Sequence, residues 1–197
     1  EYINAQDLNK GFEYYNAGEY QRAANEFENS LATLKTQYGE TDTTYYSKIV
    51  LYTALSYHNA SKIEKAIEYY LQTKSIYNSA GNSSKNSWYV LVLNGLANLY
   101  SAQNDFRKAE PLFDETITVY KNIYGAESLF YAKFCKETAD LFEDNAIYQK
   151  AEQLYLEVLR IYEKKLGKLH NDYADCVNNL AVLYYSTGDY EKAEAYY

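Results

Sequence analysis

The chain has 197 residues, a net charge of −8 at pH 7 and 26 tyrosines, but only one proline, eight glycines and two cysteines. The acidic balance argues against a nucleic-acid-binding protein, because phosphate backbones are held mainly by Lys and Arg. The longest apolar run, residues 88–93, is far shorter than the roughly 20 residues of a membrane-spanning helix. With two cysteines and no visible signal peptide, we expect a soluble, cytoplasmic and mainly helical protein.

A repeat runs through the whole chain with a period of 42 to 43 residues. Its marker is a small residue early in a helical segment, found at Ala23, Ala66, Ala109, Ala151 and Ala193. Twelve positions earlier stands another small residue: Gly11, Ala54, Ala97, Ala139 or Ala181. Four positions after the marker stands an aromatic one: Phe27, Tyr70, Phe113, Tyr155 or Tyr197. Small residues let two helices approach closely and aromatic rings fill the groove beside them, so the pattern predicts paired helices.

The predicted elements follow in chain order as five helix pairs, the last of them incomplete. The repeats span residues 3–39, 43–81, 87–125, 127–167 and 171–197, with helices of about 17 residues, or roughly 25 Å. In the third pair, Pro111 lies near the start of the second helix, where its ring removes one backbone hydrogen bond. In the fourth pair, Cys135 falls on a core position and is predicted to be buried.

The last repeat resembles a tetratricopeptide repeat, whose two helices carry the patterns W-x2-L-G-x2-Y and A-x3-F. Those places are held by Val177, Leu180, Ala181, Tyr184, Ala193 and Tyr197. The long period and the junction Leu-Gly-Lys-Leu-His-Asn-Asp-Tyr-Ala at residues 166–174 resemble the kinesin-light-chain type, with Asn171 where that family has proline. The resemblance implies an all-α, right-handed superhelical solenoid of antiparallel helix pairs, forming a single array over residues 1–197.

Residues that could support catalysis are few. The only histidines are His58 and His170, and the spacing between His170 and Cys176 places them on different faces of a helix. Asp140 and Asp144 are spaced to hold a cation or to act as an acid–base pair, but a solvated acidic face is the favoured interpretation. We therefore predict no catalytic residue, no cofactor and no metal in this chain.

The resemblance implies that the first helix of each pair lines a concave groove that binds a peptide. Carried over position by position, the candidate binding residues are Asn9, Phe12, Tyr15, Lys48, Tyr52, Leu55, Asn94, Asn98, Lys136, Asp140, Asp144, Asn178, Asn179 and Val182. Glu137, Glu143 and Tyr185 fall on the same faces. Asn9 and Asn179 stand where related arrays carry an Asn that bonds a peptide backbone. In the second, third and fourth repeats that place is held by Tyr52, Gly95 and Glu137, which interrupt the ladder of Asn residues.

The predicted function is that of a scaffold or adaptor that binds a protein or peptide partner in this groove. We expect apolar groups of the partner near Tyr15, Tyr52 and Leu55 and a basic portion near the fourth repeat; ordinary solvated positions are the competing interpretation. An alternative function is the regulatory or sensory arm of a larger enzyme, such as a caspase-like protease or a signalling kinase, and a third is a peptide-pheromone receptor. End-to-end self-association through Tyr196 and Tyr197 also stays open.

Overall fold

A computed structural model describes residues 5–197 of the chain, which fold into ten α-helices and contain no strand. The helices are α1 (Ala5–Asn16), α2 (Tyr20–Tyr38), α3 (Tyr46–Asn59), α4 (Ile63–Ser79), α5 (Ser87–Ala102), α6 (Phe106–Tyr124), α7 (Leu129–Asp144), α8 (Tyr148–Leu166), α9 (Asn171–Thr187) and α10 (Tyr190–Tyr196). The predicted start of the first repeat, Ile3, lies outside the described residues. No helix in the described part has the length and apolar composition needed to cross a membrane.

The chain divides into two compact units, Glu1–Val119 and Tyr120–Tyr197. In the first unit, helices α1 to α5 each pack on the next one, and the Tyr89 hydroxyl of α5 donates a hydrogen bond to Glu115 of α6. In the second unit, α7 to α10 also pack in chain order, and α7 additionally contacts α9. Successive packed helices without strands are the all-α, helix-pair architecture that the sequence predicted.

The same turn closes every helix pair. Its central residue has a positive φ and is Gly18, Ser61, Asn104, Ala146 or Gly188. The residue after it donates its N–H back to the end of the first helix, as Asp189 does to the Tyr184 carbonyl at 2.9 Å. This is a Schellman-type cap, which satisfies carbonyls that the helix end would leave unpaired. Glycine adopts the left-handed conformation freely, whereas Ala146 adopts it at a cost of about 1 kcal/mol.

A cation lies over an aromatic ring in each of the five pairs. The cation comes one residue before the marker alanine, and the ring lies on the first helix of the same pair. The contacts are Arg22 over Tyr14 (5.5 Å), Lys65 over Tyr57 (4.7 Å), Lys108 over Tyr100 (5.1 Å), Lys150 over Phe142 (5.6 Å) and Lys192 over Tyr184 (4.8 Å). Each such contact contributes about 0.5–1 kcal/mol at a partly exposed site. Because it joins the two helices of every pair, we call its Lys or Arg the closing cation.

The predicted core is confirmed at its small residues. All five marker alanines and the small residues twelve positions before them are buried. Cys135 is fully buried as predicted, and Cys176 is buried as well; burial raises the pKa of each thiol to about 12. Neither thiol is therefore a nucleophile near neutral pH. Helix α6 continues through Pro111, whose side chain is exposed.

Candidate functional site

In the first unit, half-buried aromatic rings from three odd-numbered helices form a continuous row. We call Phe12 and Tyr15 of α1, Tyr52 of α3 and Trp88 of α5 the ring ladder. The Tyr52 ring centroid lies 4.8 Å from that of Phe12, 5.5 Å from that of Tyr15 and 6.2 Å from that of Trp88. The contacts to Phe12 and Tyr15 are edge-to-face, the geometry that aromatic quadrupoles favour. The ladder is therefore a packed surface, and each ring keeps part of its area accessible to solvent.

The other candidate residues of the first unit lie on the same three helices as this ladder. The Lys48 ammonium lies 5.5 Å from the centre of the Trp88 ring, and Leu55 is half-buried on the same helix as Lys48. Asn9 and Asn98 are exposed, and Asn94 is half-buried. The Tyr52 ring thus joins Phe12 and Tyr15 to Trp88, and Trp88 in turn contacts Lys48.

Gly95 has a structural reason for interrupting the predicted Asn ladder. The Tyr70 ring from α4 is packed against it, so that a Cβ at Gly95 would lie 2.7 Å from the Tyr70 hydroxyl oxygen and closer still to Cζ. Tyr70 is almost fully buried, and its hydroxyl oxygen lies 3.2 Å from Nδ1 of His58. Burial lowers the pKa of His58 and raises that of Tyr70, so both side chains are neutral near pH 7. The ring occupies the space that an Asn would need.

In the second unit, Asp140 is the centre of a hydrogen-bonded network. Its carboxylate accepts from the Lys136 ammonium at 3.2 Å, from the Tyr155 hydroxyl at 2.7 Å and from the Asn179 amide at 2.9 Å. These partners come from α7, α8 and α9, so one carboxylate links three consecutive helices. Asp140, Lys136 and Asn179 were all predicted to face a ligand, and their polar groups already bind one another.

Three other carboxylates on α7 are not neutralised in this way. Glu143 accepts from the Tyr155 hydroxyl at 2.9 Å, yet burial and the nearby charges of Asp140 and Asp144 raise its pKa above the ordinary value. Glu137 and Asp144 are exposed, and neither forms an ion pair with any residue that the structure describes. Near neutral pH this face of α7 therefore carries an excess of negative charge.

Helix α9 adds apolar surface and amides to the second unit. Val182 is 39% exposed and Tyr185 is 62% exposed, and the Tyr185 ring contacts that of Tyr190 at 5.4 Å. Asn178 is exposed, whereas Asn179 is half-buried by its bond to Asp140. Val182 and Asn178 are thus available to a partner, as predicted residues of a binding face would have to be.

Sequence reasoning missed Trp88 and the role of Tyr155. Trp88 is the only tryptophan and begins the longest apolar run, and both facts were available signals. Tyr155 was recognised only as a core aromatic residue. Its hydroxyl matters because α7, the first helix of the same pair, places the carboxylates of Asp140 and Glu143 within hydrogen-bonding distance.

Helix pairs that share one turn, one closing cation and one small-residue core define a helical-hairpin repeat protein. The sequence model of a family described as tetratricopeptide repeat matches residues 49–122 and 139–197. That match covers more than half of the chain, which therefore belongs to the tetratricopeptide repeat family. No curated protein matches the chain.

Solved structures with the same fold include proteins of the predicted kinesin-light-chain type. A putative kinesin light chain from Podosopora anserina with nearly identical repeats has a TM-score of 0.74 and 19% identity, over 97% of this chain and 90% of that one. BtubC (BKLC) from P. vanneervenii has a TM-score of 0.70 and 20% identity, over 94% and 73%. The apo form of RapI has a TM-score of 0.71 and 15% identity, over 96% and 50%. At these identities the likeness shows the fold.

Proposed function

We propose that this chain is a protein-interaction module that binds an extended segment of a partner protein on the faces of its odd-numbered helices. The observation that carries the proposal is the ring ladder, in which α1, α3 and α5 each contribute half-buried rings to one continuous surface. Buried aromatic anchors supply much of the energy of protein interfaces. Helical repeat arrays use such extended surfaces for binding, which supports the same function here.

Amide side chains on the helices of the ladder suit an extended peptide. Asn9, Asn94 and Asn98 carry amides that can donate to and accept from a peptide backbone. Rings supply affinity through buried area, whereas amides hold the main chain without selecting its side chains. This division predicts a partner segment with apolar or aromatic side chains against Tyr15, Tyr52 and Leu55.

The test uses the single tryptophan as a reporter. Full-length protein is panned against a display library of short random peptides, and each enriched peptide is titrated while Trp88 fluorescence is followed. We expect the emission to change on binding and the variant Tyr52→Ala to weaken affinity about ten-fold, which corresponds to the roughly 1.4 kcal/mol of one lost aromatic contact.

The matched control is Tyr45→Ala, which removes an exposed ring of the same unit that lies before α3 and stacks on Tyr38. This variant should bind like the unaltered protein. Absence of any enriched peptide, or equal losses in the Tyr52 and Tyr45 variants, would overturn the proposal. Circular dichroism melting curves of both variants separate lost binding from lost folding.

A further inference from the structure

We infer that the face formed by α7 and α9 selects partner segments in which a basic side chain neighbours an apolar one. The inference rests on the proposed function, because it names the class of peptide that one part of the module takes. We call Glu137, Glu143 and Asp144, together with Val182 and Tyr185, the selective face.

Ion pairing within the protein leaves negative charge on this face that is not neutralised. Lys136 and Asp140 neutralise each other at 3.2 Å, and Asp140 is further occupied by Tyr155 and Asn179. Among the described residues of this face, Lys133 then stands alone against Glu137, Glu143 and Asp144. The partner's basic portion was predicted to lie near the fourth repeat, whose candidate residues include Asp140 and Asp144. The structure engages Asp140 in hydrogen bonds to α8 and α9, and it leaves the exposed Asp144 outside that network.

The environment of Glu143 disfavours the ionised form of its carboxyl group. Its carboxylate shares the Tyr155 hydroxyl with Asp140 and is half-buried between like charges. Burial and those charges raise its pKa, so its ionised form lacks a compensating cation. A guanidinium or ammonium group from a partner would supply that cation, and an acidic or phosphorylated segment would be repelled.

Helix α9 carries exposed apolar side chains next to the carboxylate-bearing helix α7. Helices α7 and α9 contact each other and both pair with α8, so they run parallel, and the Asn179–Asp140 hydrogen bond fixes their register. Along this shared direction, Asp144 lies about 6 Å beyond Asp140, and Val182 and Tyr185 lie about 4.5 and 9 Å beyond Asn179. Val182 therefore lies at the level of Glu143 and Asp144, with Tyr185 about 3 Å beyond Asp144, whereas Glu137 lies about 4.5 Å before Asp140. A basic residue followed by a Leu- or Phe-like residue matches both features.

The experiment compares two synthetic peptide libraries that differ in one fixed position. Both contain random Leu, Phe, Ser and Gly, with Arg fixed at the centre of one and Glu at the centre of the other. Binding to the full chain is measured by fluorescence anisotropy of the labelled peptides. We expect the Arg library to bind about ten-fold more tightly than the Glu library, with the difference shrinking as salt is raised.

Charge-reversal variants locate the preference. The double variant Glu137→Lys/Asp144→Lys should lose the preference for Arg, and Tyr185→Ala should weaken binding of the Arg library several-fold. The control Glu68→Lys/Glu194→Lys makes the same change in net charge at two exposed carboxylates outside the face and should keep the preference. Equal binding of the two libraries, or an equal loss in the control, overturns the inference.

The outcomes separate this inference from the proposed function. If peptides bind and the Tyr52→Ala variant weakens them, but Arg and Glu libraries bind alike, the module binds peptides and the selective face is refuted. If neither library nor any display peptide binds, both are refuted. A preference for the Glu library would mean that a basic surface elsewhere on the chain dominates recognition, and this result also refutes the selective face.

Discussion

Replacing Gly95 by alanine should destabilise the first unit, although alanine is normally the better helix former. Glycine to alanine within a helix usually stabilises by about 1 kcal/mol. Here the new Cβ would lie 2.7 Å from both Cε1 and the hydroxyl oxygen of Tyr70, well inside ordinary contact distance. Tyr70 is almost fully buried and is held beside His58, so its ring has little freedom to retreat.

The size of the effect follows from these opposing contributions. Overpacking a buried site by one methyl group costs about 1–3 kcal/mol, and a rigid ring places this site at the upper end. Subtracting the gain in helix propensity leaves a net loss of about 1–2 kcal/mol. For a chain of this length, each kcal/mol corresponds to a melting shift of about 2–4 °C.

The assay is urea unfolding followed by circular dichroism, with the midpoint compared at constant slope. Asn98→Ala, an exposed change one turn along the same helix, serves as control and should alter stability by less than about 0.5 kcal/mol. In the Tyr70→Leu background the Gly95→Ala change should lose most of its cost, because the obstructing ring is gone. A Gly95→Ala variant as stable as the unaltered protein would refute the reasoning.

Two further predictions concern carboxylates that link helices. Asp140→Ala should lower the free energy of unfolding by about 1–3 kcal/mol in urea titrations, because the Asn179 amide and the Lys136 ammonium lose their acceptor. The control variant Asp144→Ala should be nearly neutral. Equal effects of the two variants would contradict a structural role for the Asp140 network. For Glu28, partial burial opposes ionisation, but hydrogen bonds from two tyrosines and a lysine outweigh it and lower the pKa below 4.5. Its stabilising contribution is therefore present above about pH 4.5 and is lost as the pH falls through the lowered value, so Glu28→Gln should flatten the acid dependence of the urea midpoint; an unchanged acid profile would argue against it.

The helices, their order and their core could be predicted because the period itself carries that information. A small residue and an aromatic ring at fixed offsets determine where two helices touch, whatever the other residues are. Two of the five turns within the pairs have a glycine, Gly18 or Gly188, at the position with positive φ, and this residue type is the usual sequence sign of such a turn. Kinesin-light-chain-type repeats were recognised correctly from one junction and the period.

The side-chain partners could not be predicted, because they depend on rings and carboxylates from neighbouring pairs. Gly95 looked like a gap in a binding ladder, and only the fold shows the Tyr70 ring filling it. Asp140 and Asp144 looked alike in sequence, one turn apart on one helix. The approach of Tyr155 and Asn179 makes the first a structural link and leaves the second free.

Moving a helix pair to another place in the chain would affect the contacts within the pair and the contacts between successive pairs differently. Every pair closes in the same way, so a pair moved elsewhere in the chain would still form. The contacts between successive pairs differ. The Phe27 ring lies 5.9 Å from the Tyr52 ring, whereas at the equivalent place one repeat later Tyr70 packs against Gly95, which has no side chain. Exchanging the first and third pairs would place Asn9 opposite the Tyr70 ring, where Gly95 now leaves room for it. Packing between successive pairs therefore restricts the order of the repeats. In a chain with the order changed, the helix pairs would still form, but Tyr70 would clash with its new neighbour.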